Sequence, residues 1–142
     1  MTPEQIALVQ QSFARVRENG DALAVKFYEA LFTADPTIRP LFSTEPAIQR
    51  QKFMDELEAI VWSISNLGEF MDRAMALGAR HVDYGTTTGH YETVREALFA
   101  ALHAELGDAM GPDVEEAWRV AYNLVAETMM MGAADPSRTS SG

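Results

Sequence analysis

A chain of 142 residues has room for one domain of common size, and 47% hydrophobic residues suit a core that closes without staples. The absence of cysteine excludes a disulfide framework, a thiolate nucleophile and a zinc–thiolate site. With 21 acidic against 11 basic residues, net −10, the surface repels phosphate backbones and anionic lipid, so neither nucleic acid nor membrane insertion is expected.

The elements read in chain order as helices. Thr2-Pro3-Glu4-Gln5 is a helix start, with Thr at the cap, Pro in the first turn and Gln three residues on. Ile6, Val9, Phe13 and Val16 follow at helical spacing until Asn19-Gly20 stops the run. Asp21 is expected to cap a second helix with Ala24, Phe27, Tyr28, Leu31 and Phe32 on its apolar face. Pro36 and Pro40 bracket a short piece ending at Leu41-Phe42, and a loop around Ser43-Thr44-Glu45-Pro46 leads into a long helix. That helix places Gln49, Phe53, Leu57, Ile60, Val61 and Ile64 on one face. After Asn66-Leu67-Gly68, Phe70, Ala74, Leu77 and His81 recur at steps of four, three and four, and the segment from Gly85 to Gly89 breaks the run. Tyr91, Val94, Leu98, Ala101, Leu102 and Leu106 form the next face, closed by Gly107 and Gly111-Pro112. A last helix runs through Val114, Trp118, Ala121, Tyr122, Val125 and Met129. No segment shows period-two alternation, so the expected class is all-α in a single domain over 1–134. Residues 135–142 are polar and small and read as a frayed tail. There is no signal-peptide core and no apolar run of membrane length, which makes the cytoplasm the expected compartment.

Chemistry-bearing motifs are few. The chain has no GxGxxG, GxxxxGK, HExxH or GxSxG. Its carboxylates are scattered, and His81, His90 and His103 do not form a metal cluster by spacing. His81 stands in line with an apolar helix face and is open to two readings, a hydrogen-bonded core histidine or a ligand. Tyr28 is open to bonding a backbone carbonyl, Gln49 to being a solvated first-turn residue, and Phe27, Phe32, Phe42 and Phe53 to plain core packing.

Taken together these residues resemble the globin family, most closely the bacterial haemoglobins and the globin domain of flavohaemoglobins. Phe27-Tyr28-Glu29-Ala30-Leu31-Phe32 resembles that group's second helix with its distal tyrosine. Pro36 through Ile38-Arg39-Pro40-Leu41-Phe42 resembles the corner whose phenylalanine lies flat on the haem. Arg80-His81, Gly85 and His90-Tyr91-Glu92-Thr93-Val94 resemble the proximal region. Leu106-Gly107-Asp108-Ala109 and Ala117-Trp118 to Ala121-Tyr122 resemble the seventh and eighth helices. The matches follow chain order from residue 3 to about 132.

The resemblance implies a globin fold, six to eight helices around a pocket for haem b, with His81 as the iron ligand. It implies that the second imidazole nitrogen bonds a carbonyl, for which helical spacing offers that of Leu77. Tyr28 and Gln49 would hydrogen-bond a diatomic gas (O2, NO or CO), with Phe53 on the same pocket face as Gln49. Phe42 would pack on the ring, Arg80 would pair with a propionate or stand solvated, and Tyr91 would lie on the proximal side. His90 and His103 match no axial position, and Gln49 in place of a distal histidine argues against six-coordinate bis-histidine iron.

Two departures follow. The flavin- and nicotinamide-binding domains of flavohaemoglobins have no counterpart in this sequence, so electrons are expected from a separate reductase. The group's glutamate on the last helix is matched by Ala133, and Glu127 lies about a turn and a half too early to replace it. Oxygen binding, transport or storage is therefore the expected role. A nitric oxide dioxygenase, a gas sensor and a globin that has lost its haem are the alternatives.

Overall fold

The Gln5 amide donates to the Thr2 hydroxyl at 3.1 Å, and the Thr2 amide donates to the Gln5 side chain at 3.0 Å. This reciprocal box, with Pro3 behind it, opens α1 (Pro3–Arg17) as its sequence predicts. The computed structural model describes residues 1–42, 45–83 and 88–134. The expected break after His81 and the expected tail fall largely or wholly outside them, as do Ser43 and Thr44 of the expected loop.

Gly20, at φ 68, turns the chain into α2 (Ala22–Ala34). Asp21 stands at the N-cap position but makes no side-chain cap, against expectation. Its backbone (φ −101, ψ 15) is not the extended geometry that aims a carboxylate at the helix amides. The charge-assisted alternative wins: Arg50 Nε donates to Asp21 at 2.9 Å.

Asp35 caps a six-residue 3₁₀ helix, Pro36–Leu41, accepting from the Thr37 amide at 3.0 Å. Then come α3 (Pro46–Ser63), α4 (Leu67–Asp83) and α5 (Thr88–Leu106). A second 3₁₀ turn, Gly107–Ala109, precedes α6 (Pro112–Ala133). Among the described residues there is no strand, so the all-α expectation holds, with six α-helices and two short 3₁₀ helices.

The core has two centres. The larger gathers Phe13, Leu23, Leu31, Met54, Leu102 and Trp118 from α1, α2, α3, α5 and α6. Inside it the Trp118 indole donates to the Ser12 hydroxyl at 2.8 Å, so the one polar edge of a buried ring is satisfied. The smaller gathers Ile60, Phe70, Ala74 and Met129, where α4 lies along α6 over the largest of the helix–helix contacts. Helix α3 belongs to both centres, through Met54 and Val61 in the larger and Ile60 in the smaller.

Candidate ligand pocket

The register of α2 brings Phe27, Tyr28 and Phe32 to one face, and the 3₁₀ helix returns the chain so that Phe42 meets them. Phe53 of α3 stacks on Phe27, centroids 4.4 Å apart and planes at 13°. Tyr28 touches Phe42 edge-on at 5.5 Å and Phe53 at 5.7 Å. Arg39 covers the outer ring, its guanidinium carbon 4.5 Å from the Phe32 centroid. The result is an aromatic wall contributed by three consecutive elements.

One polar pair interrupts that wall. Gln49 Nε2 donates to the Tyr28 hydroxyl oxygen at 3.1 Å, joining α3 to α2. The amide uses a lone pair of the phenol and leaves its hydrogen to be aimed at another acceptor. Burial pushes the Tyr28 pKa up, with the Gln49 bond opposing, so the group remains a neutral O–H donor in neutral solution.

On α4 the His81 Nδ1 lies 2.8 Å from the Leu77 carbonyl, the partner that helical spacing offers. A carbonyl only accepts, so Nδ1 carries the hydrogen and the lone pair of the neutral ring sits on Nε2. Burial is the main force lowering the His81 pKa. The Leu77 bond opposes it, Arg80 adds to it and Glu56 opposes it. The imidazole is therefore neutral at pH 7, the form a metal requires.

The remaining residues fall around this pair of sites. Arg80 is half-exposed and pairs with Glu56 of α3 at 3.4 Å, beside a groove lined by Glu69, Asp72, Arg73 and Ala76. Tyr91 packs on the same small cluster as Leu77, and its backbone carbonyl accepts the Tyr122 hydroxyl. Its pKa is raised by burial. The structure thus gathers Phe42, Phe53 and Gln49 around Tyr28 and puts Tyr91 on the cluster that Leu77 also joins. Glu56 is the residue that sequence reasoning overlooked. Its pairing needs α3 and α4 to be neighbours, which no local pattern announces.

The globin family model matches residues 25–129. The chain belongs to the globin family. The flavohemoprotein of Deinococcus radiodurans is 28% identical over 137 residues, which cover 92% of this globin and 33% of that protein, so this chain spans about a third of its length. A solved bacterial globin from Campylobacter jejuni superposes with a TM-score of 0.81 at 25% identity, over 93% of this chain and 96% of that one. An engineered carbene transferase, described as a putative nitric oxide dioxygenase from Rhodothermus marinus, superposes with a TM-score of 0.81 at 26% identity, over 100% and 99%. The all-α arrangement is therefore the globin fold. No helix among the described residues is long and apolar enough to cross a membrane.

Proposed function

We propose that this globin holds a haem b with His81 as its iron ligand, binds oxygen or another diatomic gas (NO, CO), and serves oxygen transport or storage in the cytoplasm. The observation that carries the reading is the state of His81: a half-buried, neutral imidazole whose Nδ1–H is already committed to the Leu77 carbonyl. Such a ring presents Nε2 as the donor for a metal, and no group of three or more ligating side chains among the described residues competes for one.

The surrounding residues fit the group. Phe42 and Phe53 supply an apolar, aromatic wall for a flat macrocycle, and Arg80 offers a guanidinium for a propionate. When bound, haem supplies one open iron position for a diatomic gas. The chain's own residues supply the rest. Tyr28 and Gln49 donate hydrogen bonds to a partly charged gas ligand, while the rings around them keep water away. Leu77 holds the imidazole in one tautomer, and Tyr122 of α6 pins the backbone of Tyr91 in α5.

The test is the absorption spectrum of haem-loaded protein in ferric, ferrous and carbonmonoxy forms. His81→Gly should lose the wild-type spectrum and recover it with added imidazole, while His90→Ala and His103→Ala should keep it. If His90→Ala lost the Soret band and His81→Gly did not, the assignment would be wrong.

A second reading is favoured by the flavohemoprotein relatives and the Rhodothermus marinus neighbour: nitric oxide dioxygenation with a separate reductase. Sustained conversion of nitric oxide to nitrate by the oxygenated protein with an added reductase would promote it over carriage.

A further inference from the structure

α4 and α6 cross backbone on backbone at two glycines. A Cβ built on Gly78 would lie 1.9 Å from the Met129 carbonyl oxygen and 2.6 Å from the Met129 Cα. One built on Gly132 would lie 2.0 Å from the Met75 carbonyl oxygen and 2.7 Å from the Met75 Cα. The contacts are reciprocal, each glycine facing the residue three places before the other. Both atoms met are main chain, so neither can swing aside as a side chain would. Glycine is a poor helix former, and its presence inside two facing helices calls for a packing reason, which this close approach provides.

The crossing lies immediately beside the candidate ligand. Gly78 follows Leu77, whose carbonyl accepts from His81 one turn later. Around it Phe70, Ala74 and Met129 are buried, and the Thr128 hydroxyl reaches Met71 Sδ at 3.9 Å. Contact of α4 with α3 is much smaller, and the Arg80–Glu56 ion pair between them lies at the surface. The α6 backbone is therefore the surface against which α4 is seated.

We propose that Gly78 and Gly132 are positioning residues for His81, setting where its imidazole stands by allowing α4 to rest directly on the α6 main chain. The proposal rests on the reading of His81 as the iron ligand. Gly78→Ala or Gly132→Ala would have to part the helices by about 1 Å or more to restore ordinary contact. That movement carries the Leu77 carbonyl and His81 with it. A helix held only for stability would lower the melting temperature when displaced but would leave ligation unchanged.

The experiment uses the full chain loaded with haem. Resonance Raman reads the ferrous iron–histidine stretch, transfer to a haem-free acceptor globin reads haem loss, and amide exchange of the same loaded chain reads α4 over residues 79–83. Both alanine variants should shift the stretch in the same direction, speed haem loss by about tenfold or more, and speed exchange in α4. The double variant should go little beyond the worse single one, because helices already parted have room for the second methyl. Val16→Ala in α1, a buried position away from this crossing, supplies a control for stability loss alone and should leave the stretch in place. Gly132 lies in the last turn of α6 and Gly78 deeper inside α4, so Gly132→Ala is the variant to read if Gly78→Ala fails to fold. Lowered melting temperature with unchanged stretch and haem loss in Gly132→Ala would overturn the proposal while leaving His81 as ligand. A wild-type spectrum in His81→Gly would remove the ligand reading and the proposal with it.

Discussion

The Tyr28 ring meets four others and its hydroxyl meets one amide, and that hydroxyl is the point at which a single atom separates competing roles. Tyr28→Phe keeps the ring contacts and removes only the oxygen that Gln49 donates to. The half-buried amide then loses its partner, and stability should fall by about 1 kcal/mol in a denaturant titration. On the proposed function the same change should speed oxygen dissociation by about tenfold or more, because a hydrogen bond to a partly charged acceptor is lost. Carbon monoxide carries less charge when bound and should respond much less. Stopped-flow rates unchanged in both Tyr28→Phe and Gln49→Leu would mean that the pair does not serve the gas ligand. Some of this geometry was legible in the sequence. The resemblance implies a carbonyl partner for His81, and the four-residue step to Leu77 offers the one that the structure shows at 2.8 Å. The Gln49–Tyr28 bond could be reached only through the family resemblance, and the Arg80–Glu56 pair not at all, because each joins two helices whose neighbourhood is a tertiary fact.

Caps and breakers made the helices legible as elements. Thr2 with Gln5 and Pro3 marks the start of α1 to the residue, and Pro36 and Pro40 frame the 3₁₀ piece that carries the chain to Phe42. Asp21 was not legible as an ion-pair partner, because its competitor for the cap, Arg50, lies on another helix. The Asp35 cap makes a prediction with a definite sign. The Thr37 side-chain hydrogen bond is the main force holding this carboxyl below its usual pKa; desolvation opposes it, and the Thr37 amide and the charge of His90 add to it. A depressed folded-state pKa adds stability that is complete above the unfolded value of about 3.9 and lost as pH falls through the folded one. Asp35→Asn should therefore melt below wild type at pH 7, and the gap should close as pH falls below about 4. A gap of constant size down to pH 2 would mean that the charge contributes nothing. At the α1–α6 contact, Trp118→Phe leaves a small void and removes the donor to Ser12, and it should cost about 2–4 kcal/mol by chemical denaturation. A loss below about 1 kcal/mol would mean that the core closes over the missing ring.

At the scale of the molecule the class was legible from composition and apolar spacing. The seating of α4 on α6 was not, because two glycines in separate helices carry no signal until the helices are set face to face. Charge is different, since it belongs to the whole chain and needs no fold to be read. With 21 carboxylates against 11 basic groups the globin carries a net −10 in neutral solution. The groove beside Arg80 shares that sign, holding Glu56, Glu69 and Asp72 against Arg73 and Arg80. On the proposed function, any electron donor must approach through this field. At low ionic strength the field reaches tens of ångströms, and at 0.1 M it is screened within about 10 Å. Reduction of the ferric haem-loaded protein by a small anionic donor should therefore speed up with added salt. A cationic donor of similar potential should slow down, each by about tenfold between 0.01 and 0.5 M, while a neutral donor stays flat. Stopped-flow reduction across that salt range decides the matter, and it also bears on the partner. If the cationic donor is the one that salt slows, a reductase serving this globin must present a basic face. An anionic donor that is fastest at low salt would place the entry point at a local cationic patch, with Arg73 and Arg80 the first residues to neutralise.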